Sequence, residues 1–117
     1  MNINDVLQIV NDPKFSTIKL TGFIDAAIIK EIRPVIDEKL SPSCNIIIVD
    51  LEEAEFLDSH GVGFFVSLLK KVHAKKGKLI FVGAHDQPES VLKMVGFNND
   101  IVTYCENMEQ ATKLVDN

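Results

Sequence analysis

The chain has 117 residues, 46% of them hydrophobic, with 12 basic against 17 acidic side chains and a net charge of −5. That hydrophobic share excludes an intrinsically disordered chain and is enough for one core, so a single domain over 1–117 is expected. The acidic balance argues against nucleic acid as a direct ligand, because such binding leaves a basic footprint.

Val6–Val10 reads as a short strand, followed by the turn signal Asn11-Asp12-Pro13. Ser16–Thr21 alternates apolar Ile18 and Leu20 with polar Thr17 and Lys19, the period of a half-buried strand. The two are expected to form a hairpin. Asp25 is placed to cap a helix beginning Ala26-Ala27, whose Ile29, Ile32, Ile36 and Leu40 share one face. Pro34 falls inside it, and a kink or a break is expected there.

Ile46–Val49 is a continuous β-branched run, suited to a central strand covered on both faces. The spacing then predicts a helix over Ser59–Lys76 with Val62, Phe65, Val66, Leu69 and Val72 as its apolar stripe and Gly77 as its stop. Leu79–Val82 reads as a second buried strand. Pro88 is expected to open a short helix that Gly96 ends. Ile101–Tyr104 reads as an edge strand, and Asn107 with Gln110 resembles a capping box for a last helix that packs Ala111, Leu114 and Val115 inward. Strands alternating with helices predict an α/β sandwich with largely parallel central strands.

The longest apolar runs are too short to span a bilayer, and Met1-Asn2-Ile3-Asn4-Asp5 has no basic region leading into an apolar one. The expectation is a cytoplasmic protein without direct membrane insertion. Cys44 and Cys105 lack CxxC spacing and are expected as reduced thiols.

Chemistry concentrates in Leu57-Asp58-Ser59-His60-Gly61-Val62-Gly63, where an apolar strand gives way to a helix. Asp58, Ser59 and His60 are the residue types of a hydrolytic triad, but neighbours at such a turn diverge, and no G-x-S-x-G elbow is present. His60, His73 and His85 lack metal-ligand spacing. Gly61-x-Gly63 is too short for a nucleotide-binding loop and reads as close packing of the helix start on the sheet. Two uses of Ser59 remain open. It can cap the helix, or it can accept a phosphate that the helix N-terminus tolerates. A phosphate would add about −1.5 to −2 charges to a surface already carrying Glu52, Glu53, Glu55 and Asp58. A docked partner would be expelled while the fold survives.

The chain resembles a STAS domain of the bacterial anti-sigma factor antagonist (anti-anti-sigma factor) type over nearly its whole length. The resemblance rests on Val49-Asp50-Leu51, on Phe56 through Gly63, and on the apolar helix ending Lys75-Lys76-Gly77-Lys78-Leu79. Leu20-Thr21-Gly22-Phe23-Ile24-Asp25 and Val91-Leu92-x-x-Val95-Gly96-Phe97 support it. It implies an α/β STAS fold with a mixed, mostly parallel four- to five-stranded sheet and about four flanking helices. It also implies a partner-switching regulator without catalysis, cofactor or metal. In that family the unphosphorylated protein binds an anti-sigma factor that is also a serine kinase of GHKL type, and so frees the kinase's client. Phosphorylation of the serine matching Ser59 ends binding, and a PP2C-type phosphatase resets it. The implied partner-binding residues are Asp25, Asp58, Ser59, His60, Gly61 and Val62. Two positions depart from the family pattern: His60 stands where a small residue is usual, and Phe23 where an acidic one is. Readings as an unphosphorylated accessory subunit of a lipid-trafficking ABC transporter, or as a small-ligand or nucleotide sensor, stay open alongside.

Overall fold

The computed structural model describes residues 2–116. Met1 and Asn117, the outermost residues of the expected domain, lie outside that range. After a short 3₁₀ turn at Ile3–Asp5, the elements run β1 (Leu7–Asn11), β2 (Ser16–Ile24), α1 (Ala26–Lys39), β3 (Ile46–Leu57), α2 (Ser59–Ala74), β4 (Lys78–Val82), α3 (Asp86–Met94), β5 (Thr103–Cys105) and α4 (Met108–Asp116). The strands form one five-stranded sheet in the order β1-β2-β3-β4-β5. The β1–β2 hairpin is antiparallel, with Ile9 opposite Ile18, and every other pairing is parallel. This is the mixed, mostly parallel sheet with four helices that the alternation of elements predicts.

Side-chain parity sorts the core into two layers. Ile18, Leu20, Ile47, Val49, Leu79 and Phe81 face the helices α1 and α2, where Ile29, Ile32, Ile36, Phe65 and Leu68 meet them. Ile48, Ile80 and Val82 point the other way, toward Ala111 of α4. Phe81 is the hub of the larger layer, with its ring 5.3 Å from Phe65 and 5.6 Å from Phe97, both edge-on. Such pairs add about 0.5–1.5 kcal/mol each beyond area burial.

Several boundaries differ from the sequence reading. β3 continues past Val49 to Leu57. The exposed Glu52, Glu53 and Glu55 hide this extension in the sequence, yet Leu51, Ala54 and Leu57 between them are buried. The register against β2 slips twice there, between Lys19 and Thr21 and between Gly22 and Phe23, so the strict period of two is lost. At the first slip, buried Asp50 accepts the Glu52 N–H through Oδ1 at 3.0 Å.

Helix α1 runs unbroken through Pro34 rather than splitting. Pro34 and Lys30, whose carbonyl loses its usual donor, are both exposed, so the missing bond falls on the solvent side of the helix rather than in the core. The buried stripe of α2 is Gly61, Phe64, Phe65, Leu68 and Val72, whereas Val66 is exposed and Val62 and Leu69 are half-buried. That helix ends at Ala74, and the left-handed residue after it is Lys76, with φ 58°, not Gly77. Gly77 is needed for space: a Cβ there would sit 1.6 Å from the Asn45 carbonyl oxygen. Pro88 is the third residue of α3, which begins at Asp86 after His85. β5 is Thr103–Cys105, and Leu114 of α4 is exposed rather than packed inward. Asn107 Oδ1 does accept the Gln110 N–H, at 2.9 Å, but the Gln110 side chain returns to the Glu106 N–H. Cys44 and Cys105 are both buried and unbridged.

Candidate functional site

β2 and β3 end in step, Ile24 beside Leu57, and an aspartate follows each. Two strand–Asp–helix junctions therefore lie side by side at the carboxyl end of the sheet, the side where open α/β sheets meet their ligands. The Asp58 N–H donates to the Ile24 carbonyl at 3.2 Å and ties the junctions together. Asp25 caps α1, accepting the Ile28 N–H through Oδ1 at 3.1 Å.

Asp58 caps both helices. Its Oδ1 accepts the N–H groups of His60 at 2.8 Å and Gly61 at 3.0 Å at the start of α2. Its Oδ2 accepts the N–H of Ala26, the first residue of α1, at 3.0 Å. Partial desolvation raises the Asp58 carboxyl, but the N–H groups of Gly61, Ala26 and His60 together outweigh it and hold the group below the usual carboxylate range. Asp58 is thus an anion at neutral pH whose charge is spent on two helix N-termini.

This assignment takes the capping role away from Ser59. The cap is Asp58, so the serine is not needed for that job. Ser59 is the first residue of α2, is exposed, and its hydroxyl makes no hydrogen bond among the described residues. It therefore stands at the positive end of a helix with its oxygen open to solvent. His60 is exposed too, with Nδ1 3.7 Å from Asp58 Oδ2. Since Ser59 bonds neither neighbour, Asp58, Ser59 and His60 form no proton relay in this arrangement.

Gly61 is buried, and a Cβ on it would lie 2.9 Å from the Ile24 carbonyl oxygen, so the first turn of α2 rests directly on the end of β2. Gly63, by contrast, faces open space, and only the first glycine of the pair is a packing requirement. Val62 is half-buried against the core beside Ser59 and His60. The six residues singled out in the sequence (Asp25, Asp58, Ser59, His60, Gly61 and Val62) are thus brought together at one end of the sheet. His73, near the end of α2, and His85, at the start of α3, are not part of that group.

Three further residues shape this end in ways that sequence reasoning does not reach. Phe56 stands opposite Phe23 in the β2–β3 register, and their rings stack at 5.6 Å with 28° between planes. Gln87 and His85, at the start of α3, brace the β3 extension. The Gln87 amide bonds the Leu57 backbone, and His85 Nε2 lies 2.9 Å from the Glu52 carbonyl. Phe56 opens the motif that runs to Gly63, but nothing in that motif signals its stacking on Phe23, and no motif marks Gln87 or the bracing contact of His85. Among the described residues no group of three or more His, Cys, Asp or Glu gathers as a metal site, and no helix is long and apolar enough to cross a membrane.

A family profile described as the STAS domain matches residues 7–111. The anti-sigma-B factor antagonist of Staphylococcus aureus is 26% identical over 99 residues, spanning 85% of this chain and 90% of the relative. An anti-sigma factor antagonist from Mycobacterium paratuberculosis has the same fold, with a TM-score of 0.81 at 17% identity over 96% of this chain and 94% of the other. The Bacillus cell fate determinant SpoIIAA in its phosphorylated form gives 0.73 at 21% identity, over 93% and 99%. The profile match covers most of the sequence and includes both strand–Asp–helix junctions, and on that ground the chain belongs to the STAS domain family.

Proposed function

We propose that the chain acts as one STAS domain of the anti-sigma factor antagonist type, a non-enzymatic partner-switching regulator in the cytoplasm. In its unphosphorylated form it binds an anti-sigma factor that is also a serine kinase of GHKL type, and so releases that protein's client. Phosphorylation of Ser59 ends the binding, and a PP2C-type phosphatase restores it. Asp25, Asp58, Ser59, His60 and Val62 form the partner-binding surface, and buried Gly61 seats the first turn of α2 beneath it.

The observation that carries this reading is the division of labour at the start of α2: Asp58 does the capping and leaves the Ser59 hydroxyl exposed and unbonded. A phosphate on that oxygen meets a helix N-terminus, which favours an anion, so the fold tolerates it. The docking partner instead meets a surface about 1.5 to 2 charges more negative. The Staphylococcus aureus relative, an anti-sigma-B factor antagonist, supports an anti-sigma factor as the partner.

The test is intact-mass and phosphopeptide analysis of the protein from its native cells, with co-purifying proteins identified. The expected result is phosphate on Ser59 in one pool and a GHKL-type kinase bound to the unmodified pool. Ser59 unmodified across all growth phases, with a transporter ATPase co-purifying, overturns the reading.

A further inference from the structure

The largest unexplained feature near Ser59 is apolar. Phe23 is 59% exposed and Phe56 37% exposed, although each is large enough to be worth burying. They stack on each other at 5.6 Å, on neighbouring strands, two residues before Asp25 and Asp58 respectively. Phe23 also borders a groove of about 540 Å³ whose apolar wall includes Val6, Ala27 and Ile28. The aromatic pair and the groove therefore form one apolar strip that runs up to the Ser59 junction.

Its rim is acidic. Asp5 and Asp25 line the groove, Glu53 and Glu55 are exposed on β3, and Asp58 is held ionised beyond them. Lys19, earlier on β2, is already paired with Glu53. Two copies of this surface would set acid against acid, which disfavours self-association. An apolar strip with an acidic border fits a protein surface of inverse design.

We infer that Phe23 and Phe56 are the anchor of the docking surface, and that their occupant is an apolar side chain flanked by Lys or Arg on the anti-sigma partner. The inference rests on the reading above and assigns the chemistry of that partner's contact. It also gives a physical role to the departure at position 23: where an acidic residue would attract only the basic rim, Phe23 supplies buried area, and aromatic anchors carry a large share of interface energy. Placed on Ser59, a phosphate stands three residues beyond Phe56 and forces a desolvated dianion into the closing contact.

The experiment uses full-length protein and measures affinity for the purified kinase-type protein that co-purifies with the wild type from its own cells. Wild type, Phe23→Ser, Phe56→Ser and Ser59→Asp are compared, each checked for an unchanged circular dichroism spectrum and melting temperature. The expected result is at least a tenfold loss for either phenylalanine variant, a comparable loss for Ser59→Asp, and binding that weakens as salt rises. Loss with Ser59→Asp alone overturns the aromatic anchor and leaves the switch standing. Loss with the phenylalanine variants alone overturns the switch and keeps the anchor. Affinity indifferent to salt overturns the basic rim. Sedimentation showing a wild-type dimer that Phe23→Ser makes monomeric assigns the strip to a second copy and overturns the partner proposed.

Discussion

The side-chain amide of Gln87 completes both backbone hydrogen bonds of Leu57: Leu57 N–H donates to Gln87 Oε1 at 2.8 Å, and Gln87 Nε2 donates to the Leu57 carbonyl at 2.8 Å. β4 stops pairing with β3 at the Asp50–Val82 rung, so the last residues of β3 have no strand on that side. One glutamine of α3 imitates a rung of sheet at the residue that precedes Asp58. The junction that carries Asp58 and Ser59 is thereby braced by β2 on one side and by α3 on the other.

Replacing Gln87 by Ala leaves a part-buried donor and acceptor of Leu57 without partners. Unmade bonds of this kind cost about 1–3 kcal/mol, a sizeable share of the total stability of a small domain. Urea unfolding of Gln87→Ala is expected to show a lower midpoint with an unchanged slope. Gln87→Glu keeps the acceptor for the Leu57 N–H but turns a carboxylate oxygen toward the Leu57 carbonyl, so it is expected to rescue little. A Gln87→Ala midpoint equal to wild type would remove the brace from the account.

Asp58 predicts an acid limb to the stability curve. Its folded-state pKa lies below its ordinary value because three backbone N–H groups outweigh its desolvation. A depressed acid contributes stability above its unfolded pKa, near 3.9, and loses that contribution as pH falls through the folded one. Wild type is therefore expected to lose stability below about pH 4. Asp58→Asn keeps one acceptor for the α2 N–H groups but presents an NH₂ to the Ala26 N–H. It is expected to cost about 1–2 kcal/mol at neutral pH, the scale of a lost cap, and to flatten the acid limb. Parallel acid limbs in the two proteins would assign that slope to other carboxylates.

His85 works in the opposite direction. Its Nδ1 faces Asp86 Oδ2 at 3.0 Å and its Nε2 faces the Glu52 carbonyl at 2.9 Å, so both nitrogens look at acceptors. The protonated ring satisfies both, and these two contacts, Asp86 first, raise its pKa above the ordinary histidine value. A raised base contributes stability below its unfolded pKa, near 6.5, and loses it as pH rises through the folded one. In a proton NMR titration, the His85 ring signal is expected to move at higher pH than in an unfolded peptide. The Asp86→Asn variant is expected to bring it down. A titration midpoint that does not respond to Asp86→Asn would separate the ring from that carboxylate.

The parallel sheet, the hairpin and the role of Asp25 are legible in the sequence because each rests on local chemistry. Ile18 and Leu20 alternate, Ile46–Val49 is uniformly β-branched, and Asp25 precedes its helix directly. What escapes is non-local. The β3 extension is masked because its two register slips break the period of two, and the acids between Leu51 and Leu57 read as loop. Ser59 looks like the better cap because serine is favoured there, yet Asp58, one residue earlier, reaches α2 and also Ala26 of α1, thirty-two residues away in the chain. Gly77 carries the usual mark of a helix stop, but the constraint on it comes from the Asn45 carbonyl across the fold. Gln87 is invisible because nothing in a glutamine's neighbours says that its amide will stand in for a strand.

His60 is the residue on which partner choice is expected to turn. It follows Ser59 directly, it is exposed, and Asp58 Oδ2 lies 3.7 Å from its Nδ1. Nothing in the core depends on its ring, so His60→Ser should alter folding stability by no more than about 0.5 kcal/mol, the usual range for such surface changes. A kinase reaching the Ser59 hydroxyl must nonetheless pass an imidazole where a smaller side chain would leave room. His60→Ser is therefore expected to change both the affinity for the cognate kinase and the rate of Ser59 phosphorylation, with the unfolding midpoint fixed. It should also improve recognition by kinases whose own antagonists carry a small residue there. Unchanged affinity and rate for every kinase tried would mean that the ring is a bystander, and that specificity lies with Phe23 and Phe56.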